Sequence, residues 1–263
     1  KYRVQNMLLA IDVGNTSIAV GLFKEKDLQA TFRIATDRDN FPDEYGSLLL
    51  NLLRTKKIDV EHITDAIISS TVPGLIGTFQ EVCDKYFQVI PLVVGPGIKT
   101  GINILYENPK EVGPDRILHV VAGLAKYEPP LIIVDLGRAC VFDAVASDGS
   151  YLGGSIAPGI GLASSALVSH AAMLHTVEFS KPSGVIGTNT VHSMQAGIYF
   201  GYVEMVEGMI NRFKSELTNE SSNVTVLATG GYSPIIAGEV EGFDYIELDL
   251  NLEGLRLVYE ANR

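Results

Sequence analysis

Two acids, each followed by one apolar residue and a glycine, carry the chemistry this chain has to offer. Asp12 closes the apolar run Leu8-Leu9-Ala10-Ile11 and leads through Val13 into Gly14-Asn15-Thr16-Ser17. Asp135 closes Leu131-Ile132-Ile133-Val134 and leads through Leu136 into Gly137-Arg138-Ala139-Cys140. A second apolar run follows each tip at once, Ile18 to Phe23 in one case and Val141 to Val145 in the other, so each unit reads as a hairpin. Glycine lets backbone approach a ligand closely, and successive N–H groups of such a tip form a concave anion site. An acid at the strand end is placed to hold a metal ion beside that anion. An isolated hairpin with Asn-Thr turn chemistry would be the plainer reading of either stretch. The matched acid and glycine favour a duplicated domain with a phosphate hairpin in each half.

Phosphoryl transfer needs positioning, charge stabilisation and a base for the acceptor hydroxyl. Asp115, in Gly113-Pro114-Asp115-Arg116, is the candidate base. Arg116 beside it has the planar fork that grips a carboxylate. The bland alternative for this pair is a helix cap and a surface ion pair. Gly230-Gly231, after the apolar run 224–228, is a third glycine tip suited to a nucleotide's base or sugar.

Other chemistries find no support. There is no Walker A loop, no G-x-G-x-x-G fingerprint, no H-E-x-x-H and no G-x-S-x-G elbow. His62, His119, His170, His175 and His192 lack metal-ligand spacing and read as surface or packing residues. The net charge of −11 argues against nucleic acid or an acidic membrane as partner. Two cysteines, Cys83 and Cys140, fit a reducing cytoplasm better than a disulfide framework. No signal peptide and no 18-residue apolar run is apparent.

The elements that must hold these residues can be placed in order. Strands are expected over 28–34, 66–70, 89–94, 102–106 and 224–228, besides the two hairpins. Helices are expected over 43–53, 75–86, 115–127, 160–173, 190–217 and 251–261, with Thr190 capping the longest. Pro114 at the start and an acid in the first turn open the helix after Gly113. Strands first, then helices alternating with strands, in each half, give a mixed α/β protein.

The motifs Asp12-Val13-Gly14-Asn15-Thr16, Gly113-Pro114-Asp115-Arg116, Asp135-x-Gly137, Gly153-Gly154-Ser155-Ile156-Ala157-Pro158-Gly159 and Asn189-Thr190 with Gln195-Ala196-Gly197 resemble, in order, those of the type III pantothenate kinases. The resemblance runs from Met7 nearly to the end. It implies the superfamily of acetate and sugar kinases, Hsp70 and actin: an α/β chain of two ribonuclease-H-like (actin-like ATPase) domains with a cleft between them, 7–115 and 116–263, one phosphate hairpin in each. It implies a cytoplasmic homodimer that phosphorylates pantothenate with ATP, the first step of coenzyme A synthesis.

By the same resemblance Asp12, Val13, Gly14, Asn15, Thr16, Ser17, Ile18 and Ala19 form the first phosphate loop, with Asp12 near the metal-bound phosphates. Gly137 and Arg138 belong to the nucleotide site, and Asp115 is the proton acceptor. Tyr106, Gly113, Pro114, Asp115, Arg116 and Thr190 contact pantothenate. Asp135 binds a monovalent cation, K+ or NH4+, and Mg2+ accompanies the ATP. The family usually reads Gly-Thr-Ala-Thr where this chain has Gly137-Arg138-Ala139-Cys140. Two phosphate-binding hydroxyls are therefore replaced, which predicts weaker nucleotide binding. It also leaves a second reading, a non-catalytic or weakly active paralogue that binds pantothenate or a regulatory partner.

Overall fold

The computed structural model describes residues 6–170, 174–217 and 223–263. Each tip acid sits at the end of a central strand because that strand is apolar throughout and is covered on both faces. The first sheet is built from β1 (Met7–Val13), β2 (Ser17–Lys24), β3 (Asp27–Ala35), β4 (Ile63–Ser70) and β5 (Leu92–Val93), with α1 (Pro42–Thr55) and α2 (Ile76–Val82) between strands. The next elements are α3 (Pro114–Lys126), β6 (Leu131–Leu136), β7 (Ala139–Val145), β8 (Tyr151–Pro158), α4 (Ile160–His170) and α5 (Thr190–Leu217). The chain then runs through β9 (Thr225–Thr229), α6 (Ser233–Ile236), β10 (Tyr245–Ile246) and α7 (Leu250–Asn262).

The two sheets repeat one plan. The first has the order β3-β2-β1-β4-β5, and the second, read the same way, has β8-β7-β6-β9-β10. In each, the central strand is antiparallel to its hairpin partner and parallel to the strand on its other side. The duplication expected from the two acid–glycine units is thus present in the topology.

The chain divides into two compact units, one of residues 1–101, 110–122 and 250–263, the other of residues 102–109 and 123–249. The sequence boundary at 115/116 lies inside α3, whose first turns go with the first unit. The closing helix α7 also joins that unit: Gly21 of β2 lies so near it that an added Cβ would sit 3.0 Å from Leu252. The first core gathers Leu9, Ile11, Val20, Tyr45, Leu49, Ile68 and Phe79. The second gathers Ile132, Val134, Phe142, Tyr199, Val206 and Val226.

Several expectations are adjusted. The helix expected over 75–86 is α2 with a tight turn before it and a wider turn, Cys83–Phe87, after it. The strand expected over 102–106 is a single bridge from Ile104 to Tyr151, since Gly101 at φ +75° turns the chain immediately before it. The glycine-rich stretch 153–159 is mostly strand, β8, paired along β7. The long helix is not capped by Thr190, its first residue: Asn189 Oδ1 accepts from the His192 backbone N–H at 3.0 Å. The last residues of the helix expected over 160–173, Ala171, Ala172 and Met173, lie outside the described residues. Among the described residues no helix is long and apolar enough to cross a membrane.

Candidate active site

In the first unit, Asp12 is the polar exception on a strand whose every residue is buried. Only 6% of it is exposed. Its Oδ2 accepts from Asn251 Nδ2 at 2.5 Å, and Asn251 Oδ1 in turn meets His119 Nε2. Burial pushes the Asp12 carboxyl above its ordinary value, the Asn251 hydrogen bond opposes that, and the charge of Asp115 adds to it. Asp12 and Asp115 therefore share one electrostatic neighbourhood. The Asp115 side chain folds back over Gly113, where a Cβ would overlap its Oδ1. Arg116, next in the helix, is buried.

The tip of the first hairpin is braced by side chains. Gly14 N–H donates to Ser17 O at 3.1 Å, and Thr36 Oγ1 donates to Gly14 O at 2.7 Å. Arg38 Nη2 donates to Asn15 Oδ1 at 3.0 Å, and the Thr71 N–H caps Val13 O at 2.9 Å. Val13 and Ile18 are fully buried, and their backbones pair along the sheet, Val13 with Ile18 and Ile18 with Ile34. Asn15 and Thr16 are exposed at the tip, and Ser17 and Ala19 are half-buried.

The second unit treats its acid differently. Asp135 is half-buried, and its carboxylate lies between two glycines. A Cβ on Gly137 would stand 3.1 Å from Asp135 Oδ1, and a Cβ on Gly230 would overlap that oxygen and the Leu136 backbone. Gly230 also has φ +89°, a conformation that side chains with a Cβ rarely adopt. The tip is braced by backbone bonds: Gly137 N–H to Ala139 O at 3.1 Å, Gly159 N–H to Arg138 O at 3.0 Å, and Tyr232 N–H to Leu136 O at 3.0 Å. Arg138 is exposed. Cys140 is fully buried in the second core, and burial, aided by the nearby Asp135 charge, pushes its thiol up to about 12.

Of the expected acceptor contacts, Gly113, Pro114, Asp115 and Arg116 open α3 in the first unit. Tyr106 and Thr190 belong to the second. There Tyr106 lies over Gly153, where a Cβ would stand 3.1 Å from its ring, and it stacks on Tyr151 at 6.4 Å. Thr190 is exposed in a hollow shared with Leu167, Leu174, Gly187 and Met194. Sequence reasoning read His119 as a surface or packing residue and passed over Asn251. His119 follows Asp115 by four residues on α3, hence on the same helical face, and that spacing was the available signal. Asn251 carried none, because only the packing of α7 brings it to Asp12.

Each unit thus carries a five-stranded mixed sheet of one order, with an acid–glycine hairpin at its central strand. Solved structures of similar fold include the ethanolamine utilization protein EutJ of Carboxydothermus hydrogenoformans, with a TM-score of 0.55 at 12% identity over 95% of this chain and 89% of that one. Another is a conserved putative Baf family transcriptional activator from Campylobacter jejuni, with a TM-score of 0.53 at 17% identity over 97% of both chains. At the level of sequence, the family model for type III pantothenate kinase matches residues 8–212. The type III pantothenate kinase of Syntrophus aciditrophicus is 49% identical over 256 residues, 97% of this chain and all of that one. That of Geotalea daltonii is 48% identical over 257 residues, 98% of this chain and 99% of that one. The chain belongs to the type III pantothenate kinase family.

Proposed function

We propose that this chain transfers the γ-phosphoryl group of ATP to pantothenate, giving 4′-phosphopantothenate, the first step of coenzyme A biosynthesis. The observation that carries the proposal is similarity at nearly half of all positions, over nearly the whole chain, to proteins bearing that name. The neighbouring carboxylates of Asp12 and Asp115 support it. Nothing favours the non-catalytic alternative. Cys140 is turned into the core, so position 140 has no side chain at the tip surface.

In this reading Asp115 accepts the proton of the pantothenate hydroxyl as the new P–O bond forms, and ADP leaves. Arg116 engages the acceptor's carboxylate, and we assign Gly113, Pro114, Tyr106 and Thr190 to pantothenate contacts. We assign residues 12–19 of the first hairpin to phosphate binding in the first unit, and Gly137 and Arg138 to the nucleotide in the second. Asp135, whose carboxylate packs against Gly137 and Gly230, is the residue we assign to the monovalent cation, K+ or NH4+. A divalent ion carried by ATP, Mg2+, would neutralise phosphate charge near Asp12. We place the protein in the cytoplasm.

A homodimer is part of the same proposal. Gly197, Gly201 and Gly208 of α5 have no neighbour within 4 Å of where a Cβ would be. Val191 in its first turn, and Val185 and Ile186 just before it, are exposed at 50%, 68% and 86%. Sedimentation at micromolar concentration is expected to show twice the monomer mass, and a monomer alone would contradict it.

The activity is tested by incubating the purified chain with ATP, Mg2+, K+ and pantothenate and weighing the product by mass spectrometry. Phosphopantothenate is expected, with far less from Asp115→Asn. Equal product from both proteins would remove Asp115 as the base, and product from neither would reject the kinase.

A further inference from the structure

We propose that Asn251 is a positioning residue for Asp12 in the transfer step, with His119 fixing the sense of its amide. The proposal rests on the kinase reading and deepens it. Asn251 faces two buried groups at once, its Nδ2 toward Asp12 Oδ2 and its Oδ1 toward His119 Nε2. A carboxylate can only accept, so the amide nitrogen must face Asp12. The amide oxygen therefore faces the imidazole, which must carry its proton on Nε2. The chain Asp12–Asn251–His119 thus has one hydrogen-bond sense.

Among the described residues two buried atoms of this trio, Asp12 Oδ1 and His119 Nδ1, have no hydrogen-bond partner, and the Ser69 hydroxyl also favours the Asp12 carboxylate. Asp12 accordingly presents one oxygen, held in one place, while the other is tied. A carboxylate that is only 6% exposed gains little from water, so its orientation depends on such partners. The backbone permits the arrangement at one close contact: a Cβ on Gly254 of α7 would overlap Leu118 O of α3. Gly254 lies one turn beyond Asn251, and Leu118 precedes His119. The two helices meet backbone to backbone where the amide must reach the imidazole.

A merely structural bridge between α7 and α3 would hold the fold and leave the chemistry alone. The two roles separate in kinetics and in the imidazole itself. Asn251→Ala is expected to lower kcat by about 10- to 100-fold, as loss of an orienting partner typically does, with the KM for pantothenate within about twofold. His119→Leu, on the far side of the amide, is expected to give a loss of the same kind. His119→Gln, whose amide N–H can replace Nε2–H, is expected to recover most of it. Nitrogen-15 spectra of the unliganded wild type are expected to show His119 as the Nε2–H tautomer. The Nδ1–H tautomer, or kcat unchanged in folded Asn251→Ala and His119→Leu, would overturn the proposal. Should the wild type form no phosphopantothenate, the kinase reading fails by itself. Calorimetry with Mg·ATP then decides the positioning: roughly tenfold weaker binding by Asn251→Ala sustains it, and equal binding overturns it.

Discussion

The two hairpin tips share a plan and differ in how they hold their acid. In the first, Asp12 is buried and tied to a side chain from the far end of the sequence, and the side chains of Thr36 and Arg38 join backbone bonds in bracing the tip. In the second, Asp135 is half-buried between glycines, and backbone bonds brace the tip. The first arrangement fixes a carboxylate at a cost in desolvation. The second packs a carboxylate against glycine backbone so closely that a side chain there would clash. The repeated hairpin thus holds its acid by a side-chain partner in one unit and by close backbone packing in the other.

The sharpest way to break the first half of that contrast is Asp115→Asn, which shares Asp12's surroundings. Turnover is expected to fall by about 10²- to 10⁴-fold, the usual contribution of a general base, measured at saturating pantothenate. The second half is broken by Gly230→Ala. The residue stands at φ +89° with its Cβ position already occupied by Asp135 and the Leu136 backbone. Destabilisation of about 1–3 kcal/mol is expected from the strained backbone alone, read by denaturant unfolding, together with weakened activation by K+. Arg138→Thr sharpens the contrast by restoring a small hydroxyl at the open tip. The KM for ATP is expected to fall about 2- to 10-fold, the worth of one to two neutral hydrogen bonds, with the unfolding midpoint unchanged.

Smaller still is the pH signature of Asp12. Burial holds its carboxyl above the ordinary value, so on raising the pH the unfolded chain ionises at this position before the folded one. The folded state is favoured below the unfolded value and loses that advantage as pH rises through the folded value. Asp12→Asn is therefore expected to unfold at higher temperature than wild type at pH 8, with the gap narrowing toward pH 4, while losing turnover. The smallest effect concerns the thiols. Burial pushes both Cys83 and Cys140 up to about 12, so neither is expected to react with iodoacetamide in the native protein at pH 7.5. Alkylation of Cys140 would mean that the second tip opens to its core.

Much of this contrast was legible in the residues. The acid–glycine pairs marked the two tips, the apolar runs marked both central strands, and the repeated order of elements marked the duplication. What stayed hidden depends on distance in sequence. Asn251 reaches Asp12 from the last helix, and nothing in Leu250-Asn251-Leu252 announces that α7 packs on the first sheet. The burial of Cys140 follows from strand phase: along β7, Cys140 and Phe142 point into the second core, so the residue that looked like a lost phosphate ligand is a packing residue. The cap of α5 was misplaced by one residue because Asn189 and Thr190 both have capping side chains. Gly153 needed the structure for its reason, the Tyr106 ring lying against it.

The central claim is that this chain transfers the γ-phosphoryl group of ATP to pantothenate. Phosphorus-31 spectra of ATP, Mg2+, K+ and pantothenate with a catalytic amount of this chain test it directly. The account predicts that the γ-phosphate signal gives way to a phosphomonoester, with one ADP formed for each ester. ADP with free phosphate alone, or ATP left intact, would contradict it.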